Sequence, residues 1–161
     1  MTPVEEAKAE FLQVHEALLR SLETTPDDRL HWAPSSTART IAQQVAHCAH
    51  AIGMIEAQIR GEAFRHRTTD EADRAFRDWE QSFSTREELA ALVKAQCDSY
   101  TSYLDSLSEA ELEGFWVLPF GLGLAPRSAT LSVPALHTRS HIAQIDYIQT
   151  IYGDRDCLKE P

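Results

Sequence analysis

Apolar residues recur along this chain at alternating steps of three and four, the repeat of an α-helix that buries one face. Between Pro3 and Leu22 they fall on Val4, Ala7, Phe11, Val14, Leu18 and Leu22, which predicts a first long helix. A second is expected from about Thr37 or Ala38 to Arg60, where Ile41, Val45, Cys48, Ile52, Ile55 and Ile59 form a seam and Gly61 ends it. From Thr69 to Phe83, Ala72, Phe76, Trp79 and Phe83 share one face behind acids at Asp70, Glu71 and Asp73, the mark of a short helix start. Ser84 and Glu87 have capping-box spacing, and Leu89, Leu92, Gln96, Tyr100, Tyr103 and Leu107 carry a third long helix toward Ser108. A fourth starts near Ser132 or Val133, tolerates Pro134 in its first turn and ends around Tyr152, before Gly153.

The intervening segments break this rhythm. Thr25 is placed as an N-cap with Pro26 behind it, opening a connector that runs to Thr37 and holds at most one short helical turn. Phe115 to Leu131, FWVLPFGLGLAPRSATL, is rich in Gly, Pro and large apolar residues without helical period, so it reads as an irregular loop or hairpin. The expected fold is all-α: an up-and-down-type four-helix bundle with a short accessory helix between the second and third helices and that loop before the fourth. Residues 1–161 are expected to form one domain.

Composition narrows the function classes. Apolar residues are 43% and charged residues 25%, ordinary for a globular chain. With 25 acids against 15 bases the net charge is −10, which repels a phosphate backbone and argues against nucleic-acid binding. No apolar run approaches the roughly 18 residues that cross a bilayer, and the first residues, MTPVEEAKAE, carry acids where a signal peptide carries bases. A cytoplasmic protein without membrane attachment is expected. Cys48, Cys97 and Cys157 are far apart and lack CxxC spacing, so they read as thiols.

The histidines carry the candidate chemistry. His137 and His141 stand four apart, which stacks both rings on one helix face within reach of a single ion. At roughly 100° per residue they lie within about 40° of the line through Ile145, Ile148 and Tyr152, positions where a bundle expects apolar side chains. Two adjacent buried imidazoles cost a few kcal/mol unless partnered, and a metal satisfies both. On the second helix, His47 is turned roughly 120° from the apolar seam and His50 roughly 180°, so His47 is the better third ligand and His50 reads as solvated, although their i, i+3 spacing would also let both bind in a four-histidine site. His15 lies beside the first helix's stripe and reads as a core histidine with a hydrogen-bond partner. Three neutral imidazoles with an open fourth position describe a catalytic site rather than a closed structural one. No acid can be assigned as general base; Asp146, the nearest on the fourth helix, is roughly 140° around from His141.

The stretches SSTARTIAQQVAHCAHAI and LSVPALHTRSHIAQIDYIQTIYG resemble the DinB-like superfamily. In that family a second-helix histidine about seven residues after a Ser or Thr joins an HxxxH with Gln three residues beyond. The matching positions are His47 after Thr40, and His137, His141 and Gln144. Ile142 and Ala143 depart from the Arg and Gly common there. The resemblance implies a four-helix bundle, usually a homodimer, with a three-histidine site for zinc, nickel or a similar ion. It also implies activities that include thiol S-transfer with bacillithiol or mycothiol and thiol-dependent maleylpyruvate isomerisation.

Two readings follow for function. In the first, a divalent metal on His47, His137 and His141 activates a low-molecular-weight thiol or water toward a small electrophile, as in a thiol S-transferase or a hydrolase. Trp116, Phe120, Leu122 and Leu124 would wall the substrate, and Arg127 or Arg139 would anchor a carboxylate. In the second, the protein is a non-catalytic metal-binding stress-response module acting as a dimer. A plain helical scaffold with incidental histidines is the bland alternative.

Overall fold

The computed structural model describes residues 1–156; Cys157 and the remainder of the tail lie outside the described residues. In chain order the elements are α1 (Pro3–Thr24), α2 (Asp27–Leu30), α3 (Ile41–Ile59), α4 (Thr69–Glu80), α5 (Arg86–Ser106), β1 (Phe115–Val117), β2 (Leu124–Pro126), α6 (Arg127–Thr130) and α7 (Val133–Ile151). The bundle is made by α1, α3, α5 and α7, with α4 as the accessory helix and an antiparallel hairpin of β1 and β2 where a loop or hairpin is expected.

The helix starts are set by short polar residues. Thr2 and Glu5, Thr40 and Gln43, and Thr85 and Glu88 each form a reciprocal capping box, satisfying backbone N–H groups that the first turn leaves free. Three helix starts, those of α5, α3 and α2, differ from the sequence reading. The start of α5 is capped by Thr85 rather than Ser84, because the Glu88 carboxylate accepts from the backbone N–H of both residues at once. The start of α3 moves to Ile41, since a turn closed from Ala38 N–H to the Ser35 carbonyl occupies the preceding residues. Thr25 does not cap α2. Its hydroxyl donates back to the Ser21 carbonyl at 2.7 Å, and Pro26 takes the cap position without a side-chain bond.

The expected seams of α1 and α3 are largely buried, whereas on α5 the buried face runs through Leu89, Val93, Cys97, Tyr100 and Leu104, and the expected Leu92 and Gln96 are half-buried at its side. At one end Leu18 and Leu22 of α1 meet Ile41 and Val45 of α3, Leu89 and Val93 of α5, and Ile145 and Ile148 of α7. At the other, Phe11 packs edge-on to Tyr100 with ring centres 4.8 Å apart, among Ile52, Cys97, Leu104 and Leu131. These pairings also fix helix direction. The first halves of α3 and α5 share one cluster, and farther along Ser99 donates to Glu56, so α3 and α5 run parallel. α1 and α7 are likewise parallel to each other, since Gln149 bonds Thr25 while Leu131 and Ala135 share a cluster with Ala7 and Phe11. The up-and-down order is qualified at this point: α4 and its flanking segments return the chain to the end where α3 began before α5 starts.

The hairpin lies over the far end of α3, where Trp116 is buried while Phe115, Val117, Leu122 and Leu124 are exposed. At its tip Phe120 adopts φ 57°, a conformation unusual for a residue with a Cβ; its ring is braced edge-on against Phe64, centres 5.0 Å apart. No described helix is long and apolar enough to cross a membrane.

Tyr100 is fully buried, and its hydroxyl donates to the Leu131 carbonyl at 2.6 Å, tying α5 to the segment that leads into α7. Tyr100→Phe keeps the ring and removes this bond, and is expected to lower the stability seen in urea denaturation by about 1 kcal/mol.

Candidate metal centre

The four-residue spacing on α7 and the inward position on α3 bring three rings together. Ligand-capable atoms of His47, His137 and His141 all lie within 4.8 Å of one another, the sole such group among the described residues. The ring centre of His47 is 4.6 Å from that of His141 and 5.3 Å from that of His137. His137 and His141 direct their Nε2 atoms at each other, 3.3 Å apart.

Two of the three rings are oriented from behind. His47 Nδ1 lies 2.7 Å from Glu80 Oε1, so the carboxylate accepts a hydrogen bond from Nδ1–H and leaves Nε2 to face the cluster. Glu80 is itself fully buried and accepts from Arg39 Nε at 2.7 Å, while Arg39 also bonds Asp73 at 2.7 Å and Asp73 accepts from Arg77 at 2.8 Å. Burial pushes the Glu80 carboxyl up, but the hydrogen bonds from His47 and Arg39 outweigh it and hold the group below the usual carboxylate range. The Nδ1 of His141 faces two amide oxygens, Gln44 Oε1 at 2.7 Å and Gln144 Oε1 at 2.8 Å. Its proton is thus also held at Nδ1, with Nε2 unprotonated.

His137 has no such partner. Its Nδ1 is buried and makes no hydrogen bond, and its Nε2 faces an imidazole nitrogen that already presents a lone pair. Burial, with His141 and His47 beside it, pushes the His137 ring down to about 3, and burial with His47 nearby pushes His141 down to about 4. Both rings are therefore neutral at neutral pH, the state in which imidazole binds metal. A tetrahedral ion with ligands at about 2.0–2.1 Å separates them by about 3.3–3.4 Å, which matches the Nε2 to Nε2 distance here. The residues present fit such an ion.

The other expectations are sorted by position. His50 stays out of the cluster; its ring is half-buried and stacked on Trp79, centres 4.4 Å apart, rather than solvated. His15, half-buried on α1 with Asp98 and Lys94 near, also stays out and has no hydrogen-bond partner among the described residues. Cys48, next to His47 in sequence, is fully buried, and burial pushes its thiol up, so it supplies no thiolate. Trp116 and Arg127 line a cavity with Gln58 and Ile59, some eleven residues along α3 from His47, or roughly 17 Å at 1.5 Å per residue. The hairpin therefore does not wall the histidine cluster in this arrangement, and Arg139 is exposed. Sequence reasoning missed Gln44 and Glu80. The signal for Glu80 was present in the four-residue steps Ala72, Phe76, Glu80, which place a carboxylate on the apolar face of α4.

Fold and site together define a helical bundle with a three-histidine cluster set between two of its helices. The sequence profile of the DinB superfamily matches residues 10–145, and the chain belongs to that superfamily. Among solved structures it is similar to YfiT from Bacillus subtilis, described as a probable metal-dependent hydrolase with an unusual four-helix bundle topology, at 18% identity and a TM-score of 0.73 over 93% of this chain and 87% of that one. It is also similar to a mycothiol-dependent maleylpyruvate isomerase, at 13% identity and a TM-score of 0.71 over 92% of this chain and 68% of that one. A third is YjoA, a DinB-like protein from Bacillus subtilis, at 16% identity and a TM-score of 0.64 over 92% and 93%. At these identities the likeness is one of fold. No curated protein matches the chain.

In the unfolded chain both α7 histidines titrate near the ordinary 6.5, whereas in the fold they resist protonation until about 3 and 4. As pH falls below about 6.5 the unfolded state gains protons that the folded state refuses, so stability falls. Urea midpoints of metal-free protein should decline from about pH 6.5 to about pH 4, with a shallower slope in His137→Gln. Separately, Glu80→Gln should weaken zinc binding by about tenfold in a competition titration, because His47 loses the charge that fixes its tautomer.

Proposed function

We propose that this protein is a divalent-metal-dependent enzyme in which His47, His137 and His141 hold the ion and a small thiol or water is activated at the open position. The supporting observation is the pair of back-oriented imidazoles, His47 and His141, each hydrogen-bonded through Nδ1 and converging with His137. A structural role for the ion is less well supported, because closed structural sites use four protein ligands and three converge among the described residues. Zinc or nickel suits an all-imidazole set.

A divalent ion bound there supplies Lewis acidity that lowers the pKa of a thiol or water beside it. The chain supplies orientation. Glu80 fixes the ring of His47, and Gln44 and Gln144 fix that of His141, so neither imidazole has to reorganise. Glu80 is an anchor rather than the base, since Arg39 and His47 occupy both of its oxygens. Transfer of a low-molecular-weight thiol to a small electrophile is the favoured reaction, and it draws support from the fold shared with an isomerase described as mycothiol-dependent. Hydrolysis is the second reading, supported by the likeness to YfiT.

A homodimer is part of the proposal. Leu136, Tyr147 and Ile151 are exposed along α7, an apolar stripe suited to a second copy.

Elemental analysis of purified protein should find close to one zinc or nickel per chain, and His141→Ala should lose most of it. The loaded protein, given bacillithiol or mycothiol and a model electrophile such as monochlorobimane, should turn over faster than His141→Ala by at least about 100-fold, the scale of a catalytic metal's contribution. Stoichiometric metal with no turnover in thiol-transfer or ester-hydrolysis assays would leave the metal site standing and remove the enzyme reading.

A further inference from the structure

We propose that the cleft between α3, α4 and α5 is a binding site for a neutral, planar aromatic compound of one or two rings, separate from the three-histidine cluster. The cleft encloses about 500 Å3, in the range of small-molecule sites. None of His47, His137 and His141 lines it. Phe76 is the shared wall: its ring centre stands 5.7 Å from that of His47 and 5.1 Å from that of His50, which does line the cleft.

Floor and walls favour a flat ring. Ala49, Gly53 and Ala57 follow one another at four-residue steps on α3, so that side of the helix presents little beyond backbone and methyl groups. Around this floor stand His50 on Trp79, centres 4.4 Å apart, and His66 edge-on to both Phe64 and Phe76 at 5.6 and 5.5 Å. A ring entering between them meets aromatic faces and edges at once, the arrangement in which aromatic contacts gain beyond simple burial.

Polarity decides for a neutral compound with a directional group. The charged side chains at the mouth are Glu62 and Arg65, one of each sign and both on exposed residues, so the mouth selects no ion. At the floor, the Gln96 amide lies against Gly53 and is engaged in no hydrogen bond among the described residues. Gln58 spends its Nε2 on the Met54 carbonyl and keeps its oxygen as an acceptor. A hydroxyl or amide on the ring has a donor and an acceptor to meet.

The chain contains two methionines, Met1 and Met54. Met54 lines the cleft and Met1 is exposed at the terminus, so methyl-13C-methionine labelling gives one reporter and one internal control. Titration of the zinc-loaded full chain with 2-naphthol is expected to move the Met54 methyl signal saturably, upfield, and to leave Met1 in place. Cyclohexanol at the same concentrations should give no saturable shift. Ala57→Leu, which fills the floor, and Trp79→Leu, which removes a wall, should each weaken 2-naphthol by at least about tenfold, a loss of about 1.4 kcal/mol. The inference is overturned by shifts that do not saturate or that appear equally at Met1, by an equal response to cyclohexanol, or by unchanged affinity in Ala57→Leu. If either variant fails to show wild-type circular dichroism, the other variant and the two wild-type titrations decide.

Discussion

The buried carboxylate of Glu80 is the constraint around which this end of the bundle is arranged. A charge inside a protein is tolerable only when it is paired and hydrogen-bonded. Glu80 meets that condition through Arg39, on the segment before α3, and His47, on α3 itself. One side chain from the accessory helix thereby fixes three segments at once and decides which nitrogen of His47 carries a proton. The second carboxylate on Arg39, from Asp73, comes from the same helix about two turns earlier, so α4 grips the guanidinium at two points.

A bundle interior normally excludes three imidazoles from mutual contact, because each brings two polar nitrogens and one lacks a donor. Here the polar atoms are satisfied from the periphery inward. Amide oxygens of Gln44 and Gln144 and the carboxylate of Glu80 accept hydrogen bonds from the outer Nδ1–H groups, and the Nε2 atoms are left facing inward. That inward-facing set is unfavourable for an empty protein and suited to a cation. The unpartnered Nδ1 of His137 is the exception, and it marks the least supported of the three rings.

Helices and their buried faces were legible in the sequence because helical periodicity is a local property: Ile41, Val45 and Cys48 announce a buried face whatever lies opposite. The histidines were legible for the same reason, since HxxxH puts two rings on one face and His47 is turned off its own seam. Gln144 came from the family pattern and falls where that pattern places it, against His141. What could not be read was pairing across long separations. Glu80 lies thirty-three residues from His47 and Gln44 ninety-seven from His141, and no spacing rule joins them. Helix direction was lost similarly, because periodicity reports which face is buried and not which way a neighbour runs. His50 was read as solvated because its partner, Trp79, arrives from another helix.

The parallel course of α3 and α5 places both of their amino-terminal ends on the same side of the molecule, beside one another. Each peptide column carries a partial positive charge there, and α7, which packs on α3 and ends at this side, offsets part of it. The first turn of α3 contains no acid of its own. Glu80, delivered by the end of α4 to a position beside Thr40 and Gln43, brings the missing negative charge from outside the helix. The returning segment that makes the two helices parallel is thus also the one that brings compensating charge to the crowded end.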